Sequence, residues 1–449
     1  MARKRQAAVD DTDAILSFLG EQARKRALTH GYDTAREIIA ADIGIRLPYL
    51  CHRYMLQRNT YPLERVTLVF GPPKSNKSAF MFWLFDLFTN PRYGTIKYGR
   101  YFHMETEGKD TAEMRFALTG YRDEVGDSFA CSSMDQFQTQ TKETVEWYKD
   151  VIVKNEKVGS RLPLIMGIDS LTASMTGDAQ NVMAKNDGVA GRRFADEARS
   201  LSDWFKVVPG YLQGYPLSLV GITHDKPVKD PRTGIVTHRA PGGESPTYAA
   251  TYKILMQKVA GIPQGKSGWA GNRIKFSLHA SALGVDKLGF EAEIGFRKAL
   301  RKNADGESIL VQEAGWNWHK ASIELLANLG SQVKNCGARN EAVKDILGPI
   351  SKQTGGKFSC VKLGVSPSEA MPATQLGEIL ESRVDILSQL EPALGITYGR
   401  VFDQSMEYVD QVALAKKESH KLTPIAEVET ADSVVDDTST PNESASEEE

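Results

Sequence analysis

Cysteine is scarce. The chain has four in 449 residues, Cys51, Cys131, Cys336 and Cys360, far apart and with no C-x-x-C pair. That pattern argues against a zinc site and against a secreted disulfide framework, and it points to a reducing compartment. Long apolar runs are missing as well. None approaches the about 18 residues of a membrane-spanning helix. The basic start "MARKRQAAVDDTDAILSF" has no apolar segment behind it of the kind a signal peptide needs. The expected location is cytoplasmic, with no membrane partner. Nor does one sign of charge dominate: 55 Lys and Arg stand against 57 Asp and Glu, so no global positive field advertises a nucleic-acid partner.

What remains is the composition of an ordinary globular protein, 41% hydrophobic and 25% charged. At about 100–200 residues per domain the length allows roughly two or three domains. Residues 1–47 read as an N-terminal region with one or two small helices in 11–46, and Leu47 to Arg65 reads as a connector. From residue 48 to 320, apolar stretches alternate with helical ones. "RVTLVF", "YGRYFHMETEG", "PLIMGIDSL" and "PLSLVGITHD" read as strands, and "YKILMQK" and "RIKFSLHA" follow as two more. "SAFMFWLFDLF" is apolar almost all round, which predicts a helix buried on every side. Helical stretches, for example around Glu143–Val153 and Arg192–Phe205, separate the first four strands. Such alternation predicts an α/β fold with a mostly parallel central sheet. Residues 321–421 read as a C-terminal helical domain. Residues 422–449 hold nine acidic residues and no basic one, the composition of a disordered acidic tail.

The chemistry begins at "GPPKSNKS", Gly71 to Ser78. One letter separates it from the phosphate loop G-x-x-x-x-G-K-[ST]: position 76 is asparagine where the pattern has glycine. Its place between an apolar strand and an apolar helix is what the mechanism requires, since backbone N–H groups at a helix N-terminus bind phosphate. Gly71, Lys74, Ser75, Asn76, Lys77 and Ser78 are the candidate nucleotide-binding residues. Lys77 would reach the terminal phosphates of ATP, and the Ser78 hydroxyl would ligate Mg²⁺. Asparagine tolerates left-handed backbone better than most side chains, so the loop can still form. Two carboxylate elements follow in order. "HMETEG" puts Glu105 and Glu107 at a strand end, where a carboxylate can activate water. "LPLIMGIDS" delivers a single carboxylate, Asp169, fit to support Mg²⁺. Further on, Lys226, Lys229, Arg232, His238 and Arg239 fall within fourteen residues, interleaved with Gly and Pro. A basic loop of that kind suits sequence-independent contact with a phosphate backbone.

Taken in order, these motifs resemble the UvsX-type phage recombinases of the RecA family over roughly Leu47 to Lys320. G-P-x-K-S-x-K-S is similar to that branch's phosphate loop, in which the glycine before the lysine is also replaced. "FHMETEG" resembles the strand end of the catalytic glutamate, which places Glu107 there with Glu105 at the neighbouring aspartate. "GIDSL" is similar to the Walker B strand, with Asp169 and Ser170. "VGITHDK" resembles the strand ending in the γ-phosphate sensor, which puts His224 in that role. "APGGESPTYAATYKILM" looks like the end of the second DNA-binding loop, adding Gly242 and Gly243. The family's first loop would span "TASMTGDAQNVMAKNDGVAGRR", adding Arg192 and Arg193. Two departures stand out. Met114 or Arg115 occupies the place of the tyrosine that lies on the adenine. "SLHASAL" replaces the basic pair sent into the neighbouring subunit's site, leaving His279 and Ser281 there, or Arg297, Lys298, Arg301 and Lys302 nearby.

The resemblance implies a RecA-like P-loop NTPase core and DNA-dependent ATP hydrolysis. It implies self-association into a helical filament on single-stranded DNA, with residues 1–47 as the N-terminal oligomerisation region, and pairing with homologous duplex DNA. Mediator and single-strand-binding proteins would be partners, and the location would be the cytoplasm of a host cell. Two alternatives stay open at this point: a hexameric helicase of the same core fold, and a non-hydrolysing scaffold that binds nucleotide or DNA.

Overall fold

The structure is a computed structural model of the chain. It describes residues 42–93, 96–108, 117, 125–171, 190–229, 236–239, 249–265, 268–281, 288–302, 308–331 and 338–419. The expected helices before residue 42, Met114 and Arg115, the first loop from 172 to 189, Arg232, Gly242, Gly243 and the acidic tail lie outside the described residues.

The described residues begin with β1 (Ile43–Arg46), α1 (Leu50–Leu56) and β2 (Thr60–Pro62), and continue into the apolar strand β3 (Val66–Gly71) and helix α2 (Lys77–Thr89). After these come β4 (Arg100–Glu105), β5 (Gly126–Ala130), α3 (Met134–Trp147), β6 (Leu164–Asp169), α4 (Ala190–Leu212) and β7 (Leu217–His224). A hairpin of β8 (Lys226–Lys229) and β9 (Val236–Arg239) leads to four long strands. These are β10 (Ala250–Ile262), β11 (Ala270–Ser281), β12 (Gly289–Lys302) and β13 (Ser308–Trp316). One sheet holds nine strands in the order β13-β12-β11-β10-β3-β7-β6-β4-β5. From β10 to β5 every pairing is parallel, and from β10 to β13 every pairing is antiparallel. The fold is therefore mixed α/β with a large, mostly parallel central sheet, as the alternation of strands and helices predicts. The antiparallel arm continues past "RIKFSLHA" into β12 and β13, so "FRKALRK" lies on a strand.

Both faces of the sheet are covered, and the strands alternate accordingly. Val69, Val220, Ile222 and Ile165 join one apolar cluster, while Leu68, Leu219, Met166 and Ile168 join the other. Helix α2 sits in the first cluster, and all its residues but Ser78 are buried. The helix ends where Asn90 leaves helical geometry ahead of Pro91. The buried Asp86 carboxylate is held there by Asn90 Nδ2 (2.8 Å), Tyr93 Oη (3.0 Å) and Arg92.

The C-terminal part of the chain shares the apolar cluster that holds α2 and comprises α5 (Trp318–Ser331), α6 (Ala338–Leu347), β14 (Ser351–Lys352), β15 (Lys357–Ser359), β16 (Met371–Pro372), α7 (Ala373–Ser382), α8 (Val384–Ala393), β17 (Arg400–Val401) and α9 (Tyr408–Ser419). Three short strands accompany the helices of this region in a small sheet of their own, β14-β15-β16. The apolar cluster around α2 runs without a break from Ile43 to Tyr408, and β17 pairs with β1. The turn before α9 is tied to the first half of the chain. Gln404 bonds the backbone of Lys97, Tyr98 and Arg161, and Glu407 accepts from Ser160 N at 2.5 Å.

A buried ionic group links α1 to α7 and α8. Arg53 Nη1 donates to Glu391 Oε1 at 2.5 Å, and Arg53 Nη2 lies 3.7 Å from Glu381. Glu381 Oε1 accepts the Leu50 N–H at 2.7 Å. Burial pushes the Glu381 carboxyl up to about 7, against the opposing pull of Arg53. The native state thus keeps a proton that an unfolded glutamate releases near its ordinary pKa of about 4.3. This contribution to stability is complete below that pH and is lost as pH rises through 7. Between pH 5 and 8 the wild type should lose about 2–3 kcal/mol that Glu381→Gln does not lose, measured by urea unfolding. Parallel pH profiles in the two proteins would refute this account of the cluster.

Candidate functional site

Four parallel strands end at one edge of the sheet, and the predicted residues gather there. The register sets Glu105 beside Asp169 across β4 and β6, and Gly71 beside His224 across β3 and β7. The turn from Gly71 to Asn76 rises from β3 into the N-terminus of α2. Its first glycine is a steric requirement: a Cβ at Gly71 would sit 2.0 Å from the Met256 carbonyl oxygen. Lys74 and Asn76 are both left-handed, with φ of 63° and 61°. Asn76 thus adopts the conformation expected of it at the position where the pattern has glycine. Its side chain does not cap α2. Instead Asn76 Oδ1 accepts from Asn272 Nδ2 of β11 at 2.9 Å.

Lys77 is buried, and its ammonium is folded back onto the turn, donating to Gly71 O (2.9 Å) and Pro72 O (3.0 Å). Ser75 is buried beside it, and Lys74 is exposed. The Ser78 hydroxyl donates to Asp169 Oδ2. Burial raises the Asp169 carboxyl above the usual range, and the Ser78 hydrogen bond opposes that rise.

The two glutamates of "HMETEG" have different work. Glu105 shapes the turn, accepting the N–H groups of Glu107 (3.1 Å) and Gly108 (2.6 Å). Glu107 faces the site: its Oε1 accepts from Ser170 Oγ at 2.9 Å and lies 3.1 Å from His224 Nε2. Thr106 locks the two strand ends together. Its hydroxyl accepts from Ser170 N (2.8 Å) and donates to Ser170 O (2.9 Å). One residue past His224, the Asp225 N–H donates to Gly71 O at 3.1 Å. The chain then enters the β8–β9 hairpin, whose register sets Lys226 opposite Arg239 and Pro227 opposite His238, with Lys229 opposite Val236. Arg192 and Arg193 fall in the first turn of α4.

The structure therefore brings together Gly71, Lys77, Ser78, Glu107, Asp169 and His224. The residues named for the missing basic pair lie on β11 and β12. His279 is on β11 with its ring edge-on to Phe70 (5.3 Å), and Arg297 on β12 is engaged by Glu313 (2.6 Å) and the face of Trp269. Asn272 and Thr106 are the residues that sequence reasoning missed. Thr106 lies between the two glutamates singled out, while nothing local marks Asn272. Among the described residues, no three His, Cys, Asp or Glu side chains cluster so as to hold a metal by themselves, and no helix is long and apolar enough to cross a membrane. No model of a known protein family matches the chain, and no curated protein is significantly similar to it.

The crowding at Gly71 is testable against a glycine with room. Gly71→Ala should cost about 2–3 kcal/mol, because the obstacle is backbone and cannot swing away. Gly210→Ala, in α4 with nothing near its added methyl, should gain up to about 1 kcal/mol. Urea unfolding of both variants reads the difference, and equal effects would contradict the geometry.

Proposed function

We propose that this chain is an ATP-dependent homologous-recombination protein built on a RecA-like P-loop NTPase core. It forms helical filaments on single-stranded DNA and pairs that strand with homologous duplex DNA. The observation that carries the reading is the pair of links between the strand-end site and the start of the basic hairpin, one to Glu107 and one to the Gly71–Ser78 turn. His224 reaches Glu107 while its neighbour Asp225 holds Gly71 O. A nucleotide site and a DNA-binding segment joined through two adjacent residues can bias each other's state.

The residues present suit Mg²⁺ and ATP. Ser78 and Asp169 offer two adjoining oxygens at the N-terminus of α2. Mg²⁺ takes few protein ligands of this kind and completes its shell with phosphates and water. When bound, the ion supplies neutralisation of phosphate charge. The chain's own groups do the rest. The turn's backbone N–H groups and the α2 dipole attract phosphate. Lys77 exchanges its carbonyl partners for phosphate oxygens. Glu107 accepts the proton of the attacking water, and Ser170 and His224 orient its carboxylate. His224, 41% exposed at its side chain, is placed to sense the terminal phosphate and pass its presence to the hairpin. Lys226, Lys229, Arg232, His238 and Arg239, with Arg192 and Arg193, contact the DNA backbone, and Gly242 and Gly243 allow its close approach. Head-to-tail contacts between identical subunits give an open helix when the rotation does not close.

Hydrolysis of ATP by the purified protein should be stimulated by single-stranded DNA. Lys77→Ala should abolish it, and Glu107→Gln should lower it at least 100-fold, the scale of a lost general base. DNA binding should weaken linearly in log–log salt. Undiminished hydrolysis in Lys77→Ala would sink the site assignment, and closed rings on DNA in electron micrographs would favour the helicase.

A further inference from the structure

Position 76 asks for a left-handed backbone, which glycine adopts freely and other L-residues adopt under strain. Asparagine usually lowers that strain by bonding backbone close to itself. Asn76 makes no such cap to α2. Its amide oxygen is taken by Asn272, 196 residues away in sequence. Asn272 is well placed to act as an anchor. It lies on β11, the middle of three antiparallel strands, with its backbone opposite Gly261 on one side and Ile294 on the other. The sheet thus presents a carboxamide to a tight turn at the one residue of that turn that departs from the glycine pattern.

We infer that Asn272 is a positioning residue for the phosphate loop: its carboxamide latches Asn76 in the left-handed conformation and takes over the role of the missing glycine. The inference rests on reading Gly71–Ser78 as a nucleotide site. It adds that the loop's shape is not self-contained. The latch ties the loop to the antiparallel arm β10–β13, so any contact that moves the arm changes the loop's readiness for phosphate. A glycine loop would be indifferent to the same movement.

The test is a double-mutant cycle: wild type, Asn272→Ala, Asn76→Gly and the double variant. Two quantities are read. One is amide hydrogen exchange of residues 74–78 in nucleotide-free protein. The other is equilibrium binding of Mg·ATP. Asn272→Ala alone should speed exchange in the loop and weaken Mg·ATP binding about 3–10-fold, the equivalent of one neutral hydrogen bond. With glycine at 76, adding Asn272→Ala should change neither quantity by more than about twofold, because the latch has nothing left to hold. Amides of β10 and β11 serve as the internal reference. The latch is overturned by no effect of Asn272→Ala, by equal effects in both backgrounds, or by faster exchange throughout the arm. Failure of the wild type to bind Mg·ATP would overturn the nucleotide-site reading instead, and the exchange data would still decide the latch.

Discussion

The structure depends on the enclosure of one helix. Helix α2 carries Ala79, Phe80, Met81, Phe82, Trp83, Leu84, Phe85, Leu87 and Phe88, all buried, and no polar stripe for water. A helix of that composition is stable only when apolar groups surround it. The sheet covers one side. The other side needs material that the parallel core alone does not provide, and it comes from both ends of the described chain. Trp318 of α5 lies 5.1 Å from Trp83, and His52 of α1 stacks on the same indole at 4.1 Å. The imidazole of His52 is buried among rings, and burial holds it well below its usual pKa, so it serves as a neutral flat surface. The core continues past Ala321 in the same apolar cluster: Trp318 of α5 touches α2, and α6 and α7 pack in turn on α5.

Fixing α2 in this way also fixes the site. Its N-terminus can point only to the edge where β3, β4, β6 and β7 end. Parallel strands bring their C-terminal ends to one line, so residues far apart in sequence, Gly71, Glu105, Asp169 and His224, become neighbours through register alone. The short polar links then refine what register has placed. Thr106 and Ser170 lock two strand ends, and Glu105 gives up both oxygens to shape the turn that presents Glu107. Of two carboxylates spaced one residue apart, only one is left to face the other strand ends.

Much of this was legible from composition and period. The four parallel strands named from sequence are nearly continuous apolar runs because both their faces are covered, and α2 declares itself by lacking a polar face. Asn76 could be read correctly because a left-handed residue before a helix is a local demand. The antiparallel arm was harder. In β12, Phe290, Ala292 and Ile294 alternate with Glu291, Glu293 and Gly295, a period-two pattern. The basic run that follows draws the eye to its charges rather than to its strand. The small sheet β14-β15-β16 has strands of two and three residues, too short for any period to register. Asn272 could not have been found at all: a hydrogen bond across 196 residues leaves no spacing to recognise.

The asparagine at position 76 shows how a motif can tolerate the loss of its most restrictive letter. Glycine serves a phosphate loop by removing a penalty, and it does so locally, whatever the rest of the molecule does. A side chain at that position reintroduces strain of about 1–2 kcal/mol, which a single neutral hydrogen bond of about 0.5–1.5 kcal/mol can largely offset. The two magnitudes are close, so the substitution is nearly neutral only when the bond is present. What changes is where the stability of the turn resides. It moves from an intrinsic property of one residue to a contact with another part of the fold, and a contact, unlike a missing Cβ, can be made and broken.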